Sequence, residues 1–444
     1  MIFWRIVDNR VLPVQEVDTL GFEESEGMRI PDDYLHEQEF VIMRACHGIG
    51  DYGIISAMPR LLKQKYPNCG VFLPSNTLYK KLWGSGNKIV ESIYKNNPYW
   101  VPPLIKDEIE TLDPSKNPVY KNSAAKLFLA FKHNKVVGRV AAIINWIEVK
   151  EIKKRKVRFG WYDVIDDLEV SKSLLDKVID FGKENKMKII EGPVGFSNLD
   201  KAGLLIEGFD ECNTIITLYN SPYYSSHLRK LNFKIAAKWV EYEIKIDDFE
   251  SSPERVKRFS KLVMERYKLT LLNFKKKNEI LPYVDQMFKL LDQTYNQLQT
   301  YIPIQDYQIT NYKKRFLKFV NPDYIKCIID EEGKLICFSI TMPSFSQALK
   351  KINGKISIIN SFHLLKAMYL NNRASFYLIG VHPEYQNKGI TAIIFNEMQK
   401  LFNKKNITTV ETNPELEENT AIQKLWKNYE HRLHKRRATF KKNI

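Results

Sequence analysis

Residues 381–394, VHPEYQNKGITAII, carry the most chemically suggestive spacing in this 444-residue chain. Gln386, Asn387, Lys388 and Gly389 make a polar turn, after which Ile390, Ile394, Met398, Leu401 and Phe402 recur at helical spacing. Such a turn aims backbone amides from a helix N-terminus at one point and puts a lysine beside them. That is an anion cradle, suited to a pyrophosphate. The plainer alternative is a strand, a turn and a helix with a glycine cap. Candidate acid–base groups flank the turn. His382 immediately precedes it, and an imidazole titrating near its ordinary pKa of about 6.5 suits proton transfer. Glu411 and Asn413 end the next apolar run, and Tyr429 lies further on. Glu411 could equally be a turn ligand, and His382 an exposed turn residue.

The elements needed to position these groups are legible. Phe376, Tyr377, Leu378, Ile379 and Val381 form the apolar run of a buried strand leading into the turn. A weak internal repeat organises most of the chain. FLAFKHNKVVGRVAAI (128–143) aligns with CIIDEEGKLICFSITM (327–342), each a strand, a short polar turn and a strand. FGWYDVIDD (159–167) then matches SFYLIGVHP (375–383). Helices follow at about 169–184 and 389–404, then the strands MKIIEGP (187–193) and ITTVETNP (407–414). The second copy also carries an insertion, 345–374. Two α/β (α+β) domains of one ancestry are the simplest account, with a chance match of generic α/β units as the alternative. The copies differ at the turn: the first has Ile165, Asp166, Asp167, Leu168 and Glu169, and its carboxylates repel a phosphate.

A chain of this length is expected to hold two or three domains, and 44% hydrophobic with 27% charged residues is a globular composition. The net charge of +16 favours an anionic partner, unless it is only a solvated lysine-rich surface. Cys46, Cys69, Cys212, Cys327 and Cys337 are scattered without a C-x-x-C pair. Neither a metal nor a disulfide framework is expected. His431 and His434 form an H-x-x-H without a nearby carboxylate or thiol and are expected at the surface. No signal-like pattern and no apolar run of about 18 residues occurs, so a cytoplasmic protein, peripheral to a membrane at most, is expected.

The 381–394 pattern resembles the acyl-CoA motif of GNAT N-acetyltransferases: V-x-P, then Gln/Arg-x-x-Gly-x-Gly/Ala, then a helix. The resemblance implies that Val381, Gln386, Asn387, Lys388, Gly389, Ile390 and Thr391 hold the pantetheine and pyrophosphate of acyl-CoA as cosubstrate. Thr391 departs from the usual Gly or Ala. YKNNPYWVPPL, IEGPVGFSNLDKAGLLIEGFD, YNSPYY and ETNPELEENTAIQKLW further resemble a double-GNAT bacterial acyltransferase family that includes bacterial ceramide synthases. This implies tandem N-acyltransferase domains, with the first copy shaping the acceptor cleft. The expected division is 1–93, a Rossmann-like fragment; 94–245, a degenerate GNAT-like domain; and 246–444, the GNAT domain with the acyl-CoA loop.

Aminolysis of a thioester needs a free amine, a donor to the developing oxyanion and protonation of the leaving thiolate. Glu411 and His382 are the candidate bases. The resemblance implies a helical Tyr as the acid, but Trp426 stands at that place, with Tyr429 as the substitute and Asn419 a helix cap near the pantetheine arm. The implied acceptor is a small-molecule amine or lipid, such as a long-chain sphingoid base. Candidate partners are an acyl carrier protein and a peripheral membrane contact, not nucleic acid. The competing functions are a non-catalytic acyl-CoA or lipid binder and an aminoacyl-tRNA-dependent transferase of tandem-GNAT type.

Three stretches remain. EFVIMRACHGIGDYGIISAMPRLLKQKYPNCGVFLP (39–74), with Gly48, Gly50, Asp51 and Pro59, resembles the first βαβ unit of heptosyltransferase-like GT-B glycosyltransferases. No second lobe follows, and a capping turn is the preferred account. The basic segment 431–442 reads either as a solvated strand edge or as a docking patch that captures substrate or carrier. Phe345, Phe362, Leu364, Leu365, Met368 and Tyr369 in the insertion could line an acyl channel or form ordinary helix core, and the helix at 283–298 could cover that channel.

Overall fold

The computed structural model describes residues 89–444, apart from 134, 198, 250–253, 296–300, 317–319, 420–422, 424–425 and 427–428, and four short strands before them. Of those four, β1 (Phe3–Val7) pairs antiparallel with β2 (Arg10–Val14), and β3 (Phe40–Val41) pairs in parallel with β4 (Val71–Phe72). A parallel pair is what a βαβ unit over 39–74 requires. Gly48, Gly50, Asp51 and Pro59 lie outside the described residues.

The other strands join one mixed sheet of thirteen. β5 (Ser123–Lys132), β6 (Lys135–Asn145) and β7 (Lys156–Val164) form an antiparallel meander. β6 is almost wholly buried, as its near-continuous run VVGRVAAII requires. Helix α1 (Leu168–Glu184) buries Val170, Leu174, Leu175 and Val178 along one stripe. β8 (Ile189–Gly192) then returns parallel to β7. β9 (Leu204–Glu207) and β10 (Lys234–Lys245) follow. The second copy opens with α2 (Glu254–Arg266), β11 (Thr270–Asn273) and α3 (Leu281–Tyr295). It then repeats the meander as β12 (Ile325–Ile329), β13 (Leu335–Pro343) and β14 (Arg373–Val381). Between β13 and β14 the insertion folds as α4 (Ser346–Ile352) and α5 (Ile358–Tyr369). Helix α6 (Ile390–Lys404) crosses over, and β15 (Thr409–Glu411) runs parallel to β14. β16 (Glu415–Leu416) and β17 (His431–Asn443) complete the chain. The α/β class and the two-copy arrangement are therefore those expected.

The copies exchange their last strands. Sheet order in the centre is β8–β17–β10–β15, so β10, the end of the first copy, lies against β15, and β17 lies against β8. β17 is thus a central strand, which overturns the solvated-edge reading of 431–442. A helical segment over 89–94 crosses the 93/94 boundary, Ile89, Val90 and Tyr94 are buried in the first core, and the Tyr94 hydroxyl donates to Tyr224 Oη at 2.7 Å.

Candidate functional site

The two parallel pairs, β7/β8 and β14/β15, start alike and then diverge. Lys156 to Arg158 face Ile189 to Glu191, and Arg373 to Ser375 face Thr409 to Glu411. Beyond Glu191 the first pair stays together. The Val194 amide donates to Phe159 O at 2.8 Å, and Arg158 Nη1 reaches Gly195 O at 3.1 Å. Beyond Glu411 the second pair parts, because the chain turns to follow β10. The Thr412 amide donates to Tyr242 O at 2.8 Å, and Glu415 and Leu416 face Val240 and Trp239.

The parting leaves one edge of β14 without a strand partner. A register shift against β13 falls at Tyr377. From there the carbonyls of Tyr377, Ile379 and Val381, alternate residues on one edge, are satisfied by side chains. Asn413 Nδ2 donates to Tyr377 O, Tyr295 Oη to Ile379 O at 3.4 Å, and both Thr294 Oγ1 and Gln386 Nε2 to Val381 O at 3.3 Å. An extended ligand bearing amides could take over these contacts as a strand would. Trp426 packs tilted against Phe376 and edge-on against Phe395 at the inner end of the gap.

At its outer end β14 meets the polar turn. Asn387 and Gly389 are left-handed, with φ of 60° and 80°, and Gly389 is the residue before α6 with no side-chain cap. Among the described residues no protein acceptor takes the amides of Gly389, Ile390 or Thr391, so the start of α6 keeps its unpaired donors. Lys388 Nζ rests over the rings of Tyr267 (5.3 Å) and Tyr385 (5.1 Å), which hold the cation beside the turn. A Cβ on Gly389 would meet the Phe259 ring at 2.7 Å, so substitution there presses on α2 rather than on an anion in the turn. The equivalent turn of the first copy is closed: Asp167 caps α1 by accepting from the amides of Glu169 and Val170, and pairs with Lys132 at 2.8 Å.

The expected acid–base groups do not converge. Glu411 has both oxygens engaged, Oε1 by Arg373 at 3.3 Å and Oε2 by Lys435 at 3.0 Å, and is buried. It is a charge in the seam between the copies, not a free base. His382 lies at the other end of β14, roughly 20 Å along the strand from Glu411. Its amide is fixed to Ile336 O at 2.8 Å, and burial and Lys334 push its ring below the usual histidine range. Tyr429 packs on Phe395, and burial pushes its hydroxyl up to about 12, too weak an acid to protonate a thiolate readily. Asn419 is exposed, with its amide on Leu416 O at 2.8 Å.

The carboxyl the sequence reading overlooked is Glu415. Both of its oxygens accept from the buried Trp426 indole, at 3.0 and 3.2 Å, on the strand that leaves the gap. Burial pushes it up to about 8, with the Trp426 and Thr412 hydrogen bonds pulling the other way. Its signal in the sequence was a second acid, four residues after Glu411, facing an indole that can only donate.

The middle of the basic segment is interior and its ends are exposed. Lys435 and Arg437 are buried on one side of β17. Lys435 pairs with Glu241 at 3.2 Å and Glu411 at 3.0 Å, while Arg437 pairs with Glu241 and donates to Leu218 O at 2.5 Å. Burial pushes Glu241 up, but Arg437 and Lys435 outweigh it and hold the carboxyl at about 2. The chain continues through Arg373, Glu243, Arg432 and Glu211. Arg436 is half-buried between Glu207 and Glu417, while Arg432 and Lys441 are exposed. The docking-patch reading is therefore withdrawn for Lys435 and Arg437. His434 is buried, not at the surface, and burial with Lys435 beside it pushes it down to about 4. Among the described residues no cluster of His, Cys, Asp or Glu is arranged to hold a metal, and no helix is long and apolar enough to cross a membrane.

No family model matches the chain. It is 24% identical over 359 residues to Protein YghO of Escherichia coli (strain K12), covering 80% of this chain and 90% of that protein. It is 22% identical over 297 residues to a bacterial ceramide synthase of Caulobacter vibrioides (strain NA1000 / CB15N), covering 65% of this chain and 75% of the relative. Among solved structures, a tandem GNAT protein from the clavulanic acid biosynthesis pathway matches 84% of this chain and 98% of its own at 10% identity, with a TM-score of 0.49. The expected resemblance to double-GNAT proteins that include bacterial ceramide synthases is met by the second of these relatives and by the two-copy topology.

Proposed function

We infer that this protein is an N-acyltransferase that moves an acyl group from acyl-CoA, or an acyl carrier thioester, to an amine. A long-chain lipid amine is the favoured acceptor. The observation that carries this reading is the parted pair β14/β15: a strand edge with side-chain-held carbonyls that runs into an uncapped helix start beside Lys388. Pantetheine is an extended chain with two amides, and it ends in a pyrophosphate. The edge suits the former and the unpaired amides of residues 389–391 the latter. Thr391 places a β-branched side chain at the first turn of α6, so a shorter anionic group on a carrier protein fits the same cradle. The sequence similarity to a bacterial ceramide synthase supports a lipid amine as acceptor.

In this reading the acceptor nitrogen attacks the thioester carbonyl, the C–S bond breaks, and the proton lost by nitrogen passes through Glu415 to the departing sulfur. Trp426 fixes the carboxylate by donating to both oxygens. A base must be ionised, so turnover rises with pH through about 8. Stability runs the other way. A carboxyl raised on folding stabilises fully below its unfolded value near 4.5, and that contribution is lost as pH rises through about 8.

The test is Glu415→Gln, assayed with acyl-CoA and a panel of long-chain amines by mass spectrometry of the product. Turnover should fall about 10²–10⁴-fold, the rise with pH should flatten, and CoA affinity should hold. Unchanged turnover in the variant removes Glu415 from the reaction. CoA binding without acylation of any amine by the wild type would favour a non-catalytic thioester binder.

A further inference from the structure

Helix α5 is apolar on two opposite sides. One side, with Leu364, Ala367 and Met368, packs with α4 against Val101, Phe345 and Leu349. The other side carries Ile359, Phe362, Leu365 and Tyr369 at helical spacing, and all four are exposed, Ile359 at 86% and Phe362 at 66%. Ile356 before the helix and Leu370 after it, the latter 72% exposed, extend the same apolar surface at both ends. Two aromatic rings of about 150–250 Å² each and four aliphatic chains reach the roughly 300–600 Å² of the largest apolar patch on an ordinary monomer. A surface of this size, on a helix already anchored by its other face, is built to be covered.

Charge decides what covers it. From Gly333 to Pro383 the chain has no Asp or Glu but six cations: Lys334, Lys350, Lys351, Lys355, Lys366 and Arg373. Lys351, Lys355 and Lys366 are exposed, and Lys366 lies on the same side of α5 as the open apolar chains. The carboxylate that meets the hairpin, Glu91, is bound by Asn353 Nδ2 at 2.8 Å in the α4–α5 loop. An apolar strip with lysines beside it and an acid-free sequence around it is complementary to an anionic, apolar-beneath surface. A second copy of this strip would bring lysine against lysine.

We propose that the open side of α5 docks the protein on an anionic lipid bilayer, with Ile359, Phe362, Leu365 and Tyr369 entering the interface and Lys351, Lys355 and Lys366 meeting the headgroups. This goes beyond the acyl-transfer reading and does not depend on it, since binding to lipid needs no turnover. Because α5 leads through Leu370, Asn371 and Asn372 directly into β14, docking would bring the parted strands next to the membrane surface.

The experiment is co-sedimentation of the full chain with vesicles of phosphatidylcholine alone or with phosphatidylglycerol. Binding is expected to the anionic vesicles and to weaken with salt. Phe362→Asp with Leu365→Asp should lower partitioning by about tenfold or more. Lys351→Gln with Lys355→Gln and Lys366→Gln should remove most of the salt dependence. All these side chains are exposed, and unchanged thermal melting of the variants confirms that each is folded. Absence of wild-type binding overturns the proposal, as does equal binding by the aspartate variant. A dimer that Phe362→Asp dissociates, without vesicle binding, would instead assign the surface to a second copy.

Discussion

The two halves of the sheet use the same crossover and end with opposite clefts. In the first, the chain after β8 keeps hydrogen bonding to β7, and glycines make that closeness possible. A Cβ on Gly160 would lie 2.5 Å from Val194 O, and one on Gly192 would lie 2.2 Å from Phe159 O. In the second, counting two residues beyond the last paired residue (Arg158 in β7, Ser375 in β14) puts Tyr377 where the first has Gly160, and the chain after β15 leaves with β10. The helix starts follow suit, Asp167 closing one and Gly389 leaving the other open. What separates a closed cleft from an open one is therefore the direction in which four or five residues turn after the second strand, not the framework around them.

Both clefts hang on the exchanged strands, and the largest effect is expected there. Arg437→Leu leaves Glu241 in the interior with Lys435 alone, and breaking a buried pair from one side costs about 3–5 kcal/mol. Because β17 and β10 lie between β8 and β15, urea unfolding should show one weakened transition for both halves. A variant in which only the first half melts early would show that the copies are independent and that the exchange is incidental.

The contrast between the halves was partly legible beforehand. Helix and strand periods gave the meanders and both crossover helices to within a residue or two, because FGWYDVIDD and SFYLIGVHP are long apolar runs ending in turns. Three carboxylates against a glycine already separated the two helix starts. The strand exchange was not legible, since it is a pairing between residues almost 200 positions apart, and local pattern says nothing of it. For the same reason HRLHKRRATFKK resembled a solvated edge, although WVEYEIK (239–245) supplied the alternating glutamates that neutralise it. Glu411 drew attention as the acid ending a strand, yet two cations hold it. The perturbed carboxyl lay four residues later, where only tertiary burial distinguishes it.

A smaller effect should sharpen the account of the closed cleft. Gly160→Ala forces a methyl against the Val194 carbonyl, which must move, at a cost of about 1–3 kcal/mol. Amide exchange should quicken at residues 194–196 and stay unchanged around Asn413. Asn413→Ala removes only a side-chain tether to Tyr377 O, and is expected to cost about 1 kcal/mol. Equal costs for the two changes would mean that the first cleft is no more tightly closed than the second.

The smallest effect bears most directly on whether an open helix start is enough for binding. Asp167→Ala uncovers the amides of Glu169 and Val170 and removes the ion pair with Lys132. Loss of a helix cap costs about 1 kcal/mol, so the variant should fold and melt slightly earlier. It then has two helix starts with exposed donors. The first still lacks a parted strand edge, because Val194 remains on Phe159 and residues 193–196 fill the place where a pantetheine arm would lie. Asp166 and Glu169 also remain, and their charge opposes a phosphate. Isothermal titration should therefore give one CoA per chain for both wild type and variant, at the same affinity. A second site in Asp167→Ala would show that the cap alone had closed the first copy, and the parted strands would lose their claim to define the site.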